Sequence, residues 1–224
     1  MTDIEVSIGS PVDANEGGNI QFTVSLPSGI NNESGTALTG AITYATGTAV
    51  DGDDFAGTSS FSIDPGQNFD QVSFLALNDN FVEETETVIA QISALTMGTP
   101  ASGASTSTAN IYDLDTSGLT VSVTSSVTGV VEGVSDITYD ITLDGGLING
   151  TGSDITGTLS LGGSASAPGD FTDVTSFSIP NGFGTTAVTV TVIDDTIPES
   201  TETVIASISG LNLSLIHISE PTRL

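Results

Sequence analysis

Short runs in which apolar residues alternate with Thr, Ser, Gln and Asp recur along the chain, separated by stretches rich in Gly, Pro, Asn and Asp. A period of two sends every second side chain to one face of an extended strand, and the punctuating residues favour turns. In the first half the pattern predicts seven strands, near residues 4–8, 20–26, 38–46, 59–63, 70–77, 87–95 and 107–112. Six follow in the second half, near 119–123, 137–143, 155–161, 175–179, 186–193 and 203–209, and the pattern then stops. The expected class is all-β, with the second half lacking its last strand.

The two halves are copies. Ser60-Phe61-Ser62-Ile63 recurs as Ser176-Phe177-Ser178-Ile179, and Thr85-Glu86-Thr87-Val88-Ile89-Ala90 as Thr201-Glu202-Thr203-Val204-Ile205-Ala206, both at an offset of 116 residues. Asp54-Phe55 with Asp170-Phe171, and Glu16-Gly17 with Glu132-Gly133, keep the same offset. A repeat of this length predicts two tandem domains, 1–115 and 119–212, joined almost without a linker. Residues 213–224 (LSLIHISEPTRL) match nothing in the first copy and carry the only His and the only Arg. That string resembles the translated read-through of a sequencing adapter, so it is read as a non-native tail, the alternative being a divergent natural terminus.

Composition narrows the chemistry. The 224 residues hold 28 Asp and Glu against a single Lys or Arg, a formal net charge of −27, with no Cys and no Trp. Nucleic acid and anionic membrane surfaces are poor partners for such a chain, and no apolar run approaches the roughly 20 residues of a membrane helix. Thiol nucleophiles, Cys-ligated zinc and disulfides are excluded, and with one His and one Arg most acid–base and phosphate chemistry goes too. The expectation is a non-enzyme. Paired carboxylates serve glycosidases, but a small sandwich with few aromatic residues offers no sugar platform.

The recurring acids lie in the connections between strands or at strand starts. Glu16 falls between the first and second strands, Asp54 between the third and fourth, and Asp79 and Glu83 between the fifth and sixth. In an up-and-down sandwich these connections share one end, to which the seventh strand delivers Asp113 and Asp115. Bare carboxylates brought together repel, whereas a hard divalent cation neutralises them. Calcium accepts roughly 6–8 oxygens in irregular geometry, while magnesium demands a stricter octahedron. Glu86 and Glu202, at strand starts, read as structural or exposed. Asp113-Leu114-Asp115-Thr116-Ser117-Gly118 imitates the opening of an EF-hand loop, but Thr124 stands where its closing Glu belongs. Asn32-Glu33-Ser34 and Asn149-Gly150-Thr151 match the glycosylation pattern.

Together the Glu-Gly after the first strand, the central Asp-Phe, Asn78-Asp79-Asn80-Phe81-Val82-Glu83-Glu84-Thr85-Glu86 and the closing Ile111-Tyr112-Asp113-Leu114-Asp115 resemble the motifs of the Calx-beta domain family. The second copy answers with Asp194-Asp195-Thr196-Ile197-Pro198-Glu199-Ser200-Thr201-Glu202. The resemblance spans nearly all of residues 4–212. It implies seven-stranded immunoglobulin-like sandwiches, used as calcium sensors and in long arrays in bacterial surface proteins. Carried over by motif, the calcium ligands are Glu16, Asp54, Asp79, Glu83, Asp113 and Asp115. In the second copy they are Glu132, Asp170, Asp194, Asp195 and Glu199. Asn78 and Asn80 stand where calcium-binding members often place Asp, which lowers the charge of the first site.

The function expected is that of a calcium-binding structural or adhesive module in a larger extracellular, bacterial protein. Its partners would be calcium ions, neighbouring repeats and an unidentified adhesion ligand. Ions at the domain ends would stiffen the loops and the joint, the closing aspartates lying only a few residues before Leu119. The competing expectation is a metal-independent spacer or carbohydrate-recognising sandwich whose acids serve solubility.

Overall fold

The computed structural model describes residues 4–45, 47–57 and 60–212; the tail assigned to 213–224 lies outside the described residues. Among the described residues strands occur in the order β1 (Glu5–Val12), β2 (Ala14–Asn15), β3 (Asn19–Ser25), β4 (Leu38–Ala45), β5 (Phe55–Gly57), β6 (Ser60–Ile63), β7 (Phe69–Ala76), β8 (Phe81–Val82) and β9 (Glu86–Ser93). There follow β10 (Thr99–Pro100), β11 (Thr106–Tyr112), β12 (Val121–Ser125), β13 (Ile137–Leu143), β14 (Ile148–Asn149), β15 (Ile155–Gly163), β16 (Ser176–Ile179), β17 (Thr185–Val190) and β18 (Val204–Asn212). One 3-10 turn, Asp144–Gly146, is the only helical element among the described residues. The chain divides into two units, residues 1–79 with 85–114 and residues 80–84 with 115–224.

Unit one packs two five-stranded sheets face to face, β10-β1-β3-β7-β5 and β2-β11-β9-β4-β6. The alternation seen in the sequence becomes burial. Ile20, Phe22 and Val24 of β3, Val72 and Phe74 of β7, and Val88, Ala90 and Ile92 of β9 all face the core. Phe55 and Phe74 meet Tyr44 edge-on, with centroids 4.9 and 5.4 Å away, a geometry aromatic rings favour over face-to-face stacking.

Unit two repeats the plan with fewer strands. Its sheets are β12-β13-β17 and β16-β15-β18, with β8 and β14 as a separate parallel pair. Ile141, Leu143, Ile155, Leu159 and Ile179 form one core cluster, and Tyr139, Phe171 and Val190 a second. In unit one β9 lies between β4 and β11; its counterpart β18 pairs with β15 alone among the described residues. No seventh strand follows β18 among the described residues, which end at 212. Val88, Ala90 and Ile92 are buried, whereas Val204, Ala206 and Ile208, 116 residues on, are only half-buried.

The two glycosylation patterns prove to be a structural device. Asn32 and Asn149 are 3% and 0% exposed. Asn149 Nδ2 donates to the carbonyls of Ser153 and Ile179 at 2.8 and 3.0 Å, while its Oδ1 accepts from the N–H and hydroxyl of Thr151. Asn32 does the same with Thr36, Ile63 and Ser34. The Ser or Thr two residues on is thus the partner of the side-chain oxygen, and the amide nitrogen is spent inside the fold.

Two outcomes follow from this packing. Asn149→Ala leaves the buried Ile179 carbonyl without its donor and should lower stability by about 1–3 kcal/mol, read by urea unfolding. Amide exchange in β18 should be faster than in β9, because an edge strand opens more easily than a covered one; equal protection in the two would contradict the exposed edge.

Candidate metal centre

In unit one, backbone hydrogen bonds hold Glu16 where the two sheets meet. Its N–H donates to the Tyr112 carbonyl at the end of β11 at 3.0 Å, and the next N–H, of Gly17, donates to Ala76 at the end of β7 at 2.9 Å. Gly17 reaches that position with φ of 73°, where glycine is favoured. The Glu-Gly pair therefore closes the end of the sandwich, and the Glu16 side chain, 7% exposed, turns inward. Its Oε2 accepts a hydrogen bond from the Leu114 N–H at 3.3 Å. A carboxylate oxygen of Glu16 lies within 4.8 Å of one from Asp79 and, likewise, of one from Asp113.

Asp54 is fixed differently. The Val50 N–H, four residues back, donates to its Oδ2, and its own carbonyl accepts from Leu77, just before Asn78-Asp79, at 2.8 Å. Phe55, buried beside Tyr44, anchors the loop from below. In unit one, carboxylate oxygens of Asp54 and Glu86 lie within 4.8 Å of each other.

The Asp54 arrangement recurs in unit two. Ser166 N–H donates to Asp170 Oδ2 at 2.6 Å, and the Asp170 carbonyl accepts from Ile193 at 2.9 Å. Asp170, Glu199 and Glu202 place one oxygen each within 4.8 Å of the others. Glu132 is half-buried and its charge also acts on Glu199 and Glu202. Asp194 packs instead against Gly133, where a Cβ would lie 2.8 Å from its Cγ. Asp195 caps its own loop, accepting from the Ile197 N–H at 2.7 Å. Glu83 follows β8 and abuts Gly150, where a Cβ would lie 2.9 Å from its Cγ; Asp115, half-buried, opens the 115–224 stretch.

Glu86 and Glu202, read from the sequence as structural or exposed, are thus members of acidic groups. Glu202 is indeed exposed, but its side chain reaches Asp170. The signal was their recurrence at the same offset as the other acids, outweighed by their place at a strand start.

The charges act on one another. Loss of hydration, then the charges of Asp170, Glu132, Asp195 and Glu202, hold the Glu199 carboxyl above its ordinary value. Glu202 is raised by the same loss, by the charge of Asp170 and a hydrogen bond shared with it, and by Glu132. Asp13 goes the other way, lowered by hydrogen bonds from the Asn110 backbone and side chain and from the Tyr112 hydroxyl. Those bonds fasten the segment before Glu16 to β11.

Two stretches of the chain, residues 12–117 and 115–222, match the Calx-beta domain family. The chain belongs to the Calx-beta family. Among solved structures, a Calx-beta tandem described as CBD12 from CALX1.2 is 17% identical, with a TM-score of 0.43 over 84% of this chain and 75% of that one. The calcium binding domain CBD12 of CALX1.1 is 15% identical, with a TM-score of 0.41 over 84% and 76%. The apo form of the Calx CBD1 domain is 20% identical, with a TM-score of 0.40 over 50% and 97%. No curated protein sequence matches this chain. Calx-beta domains are binding and structural modules, and this chain carries two in tandem, each with a cluster of acids.

The donor set in both units consists of carboxylate oxygens, which suits a hard cation of flexible coordination, calcium above all. Without a cation, the folded second unit holds protons on Glu199 and Glu202 more tightly than the unfolded chain does. Acidification from neutral toward the ordinary value of 4.5 should therefore stabilise it, and stability should fall as pH rises through the raised values. In chelator at neutral pH, Glu202→Gln should raise the thermal midpoint and flatten that pH slope. An unchanged slope in differential scanning calorimetry would count against the cluster.

Proposed function

We propose that this chain is a calcium-binding structural and adhesive module of a larger extracellular protein. Ions at the domain ends would replace mutual repulsion of the loops by shared coordination. The observation that carries the reading is Glu16, a 7% exposed carboxylate with Asp79 and Asp113 carboxylates within 4.8 Å, in a chain whose residues 1–212 contain no Lys, Arg or His. A solvated acidic surface has no reason to bury such a group, since burial penalises its charge.

The ligands in this reading are those the family resemblance implies. Glu16, Asp54, Asp79, Glu83, Asp113 and Asp115 serve the first repeat, and Glu132, Asp170, Asp194, Asp195 and Glu199 the second, with Glu86 and Glu202 added by proximity. The Leu114 and Val50 N–H groups orient the Glu16 and Asp54 carboxylates. An ion bound by Asp79 and Asp113 with Glu16 would tie the loop after β7, the segment after β11 and the turn before β3. Extracellular calcium modules commonly bind in the range of about 10⁻⁴–10⁻³ M, and two Asn in the Asp79 motif argue for no tighter a site.

Thermal unfolding of the whole chain in chelator, in millimolar calcium and in magnesium at equal ionic strength tests this. Calcium should raise the midpoint by several degrees through mass action, magnesium by less, and Asp79→Ala or Asp113→Ala should remove most of the unit-one shift. No calcium-specific shift would support the metal-independent spacer instead.

A further inference from the structure

In unit one the first strand crosses from one sheet to the other, and a single side chain fastens the crossing. β1 leaves its ladder with β3 at an irregularity between Gly9 and Val12, where Ser10 takes a φ of 49°. The chain then enters the other sheet as β2. There it pairs with β11 over two residues, Ala14 with Ile111 and Asn15 with Tyr112. So short a parallel pair carries little stability of its own.

Asp13 extends that pair. On β11 the Tyr112 carbonyl accepts from the Glu16 N–H at 3.0 Å, so Asn110, two residues back, turns its backbone to the same side. There the Asn110 N–H donates to Asp13 Oδ1 at 2.8 Å, a side-chain oxygen in the place of a ladder carbonyl. Asp13 Oδ2 accepts from the Asn110 side-chain amide and from the Tyr112 hydroxyl, both at 3.1 Å. These three bonds lie just ahead of Glu16 on one segment and of Asp113 on the other, whose carboxylate oxygens come within 4.8 Å of each other. Asp13 belongs to none of the acidic groups found around Glu16 and Asp54 among the described residues. The second repeat has Gly129 at the matching position, which offers no side chain for such a rung.

We propose that Asp13 is a positioning residue for the cation site of unit one, fixing Glu16 and Asp113 relative to each other without itself binding the ion. The role rests on the calcium reading of this chain. Glu16 and Asp113 arrive on different segments, so their spacing is as firm as the β2–β11 pair that joins those segments. Repulsion between the two carboxylates pushes the segments apart, and the Asp13 bonds oppose that push. An ion then meets oxygens already in place and spends less of its binding free energy on ordering them. Hydrogen-bond partners behind a metal's ligands commonly account for about 10–100-fold in affinity.

The test is a calcium titration of the full chain followed through the amide NMR signals of Gly17 and Leu114, both in unit one. Asp13→Ala should weaken the unit-one site by at least about tenfold. Asp13→Asn removes the charge but keeps an acceptor for the Asn110 N–H and can donate to the Tyr112 hydroxyl, so it should recover most of that loss. In chelator, Asp13→Ala should speed amide exchange at Glu16 and Gly17 by at least about tenfold, with Phe22 and Val72 unchanged. Should Asp13→Ala not fold, Tyr112→Phe, which removes one bond and keeps the charge, should weaken the site by about threefold or more. Equal losses in Asp13→Ala and Asp13→Asn would make Asp13 a ligand or a mere charge and overturn the positioning role. Unchanged calcium affinity in Asp13→Ala, or in Tyr112→Phe where that variant stands in, would overturn it too, as would exchange quickened evenly across unit one. An unaltered chain whose Gly17 and Leu114 signals ignore calcium would overturn the calcium reading itself, and the role of Asp13 with it.

Discussion

Repulsion between carboxylates is the constraint around which this protein is arranged. A sandwich gathers its connecting loops at its ends, and here those loops carry acids in a chain with no lysine to offset them. Two close carboxylates in a partly dry environment cannot both remain charged without some compensation. Backbone N–H groups give part of it: Leu114 to Glu16, Val50 to Asp54, Ser166 to Asp170. In unit two the remainder shows as Glu199 and Glu202 held above their ordinary value.

The closing strand orders much of unit one. In unit one β11 covers β9, its end receives the Glu16 N–H, and Asp13 fastens to Asn110 and Tyr112 across the same junction. That one strand completes the sheet, fixes the acidic turn and delivers Asp113. In unit two Glu132 belongs to a turn closed on itself, with Val134 and Ser135 donating to the Val131 carbonyl. The inward row of β18 is left half in water.

Much of this was legible in the chain, for physical reasons. The main strands follow their alternation to within a few residues, as β13 at Ile137–Leu143 and β11 at Thr106–Tyr112 show, because one buried face imposes register on every second residue. The pairs β2, β8, β10 and β14, two residues each, are too short to carry a period and arise from tertiary contact. Glu86 and Glu202 were visible as recurring acids, but nothing in a strand start tells that its side chain leans back to the Asp54 or Asp170 loop. The Asn32 and Asn149 patterns could not reveal their burial, since an exposed sequon and a buried amide-centred loop are written with the same three residues.

Asn78 and Asn80 separate charge from shape within one motif. Read as charge alone, each Asn in place of Asp weakens an ion site. Yet the Asn80 side-chain amide donates to the Gly146 carbonyl at 2.9 Å, and the Asn78 amide to the Asp79 carbonyl at 3.2 Å. An ionised Asp has no proton to give either carbonyl. The change that removed negative charge also provided donors that hold the backbone on either side of Asp79. A return to Asp at 80 would set two carbonyl-facing oxygens against each other and loosen the segment that carries Glu83. In the proposed calcium site, affinity would depend on preorganisation as well as on charge, and the two asparagines trade the second for the first.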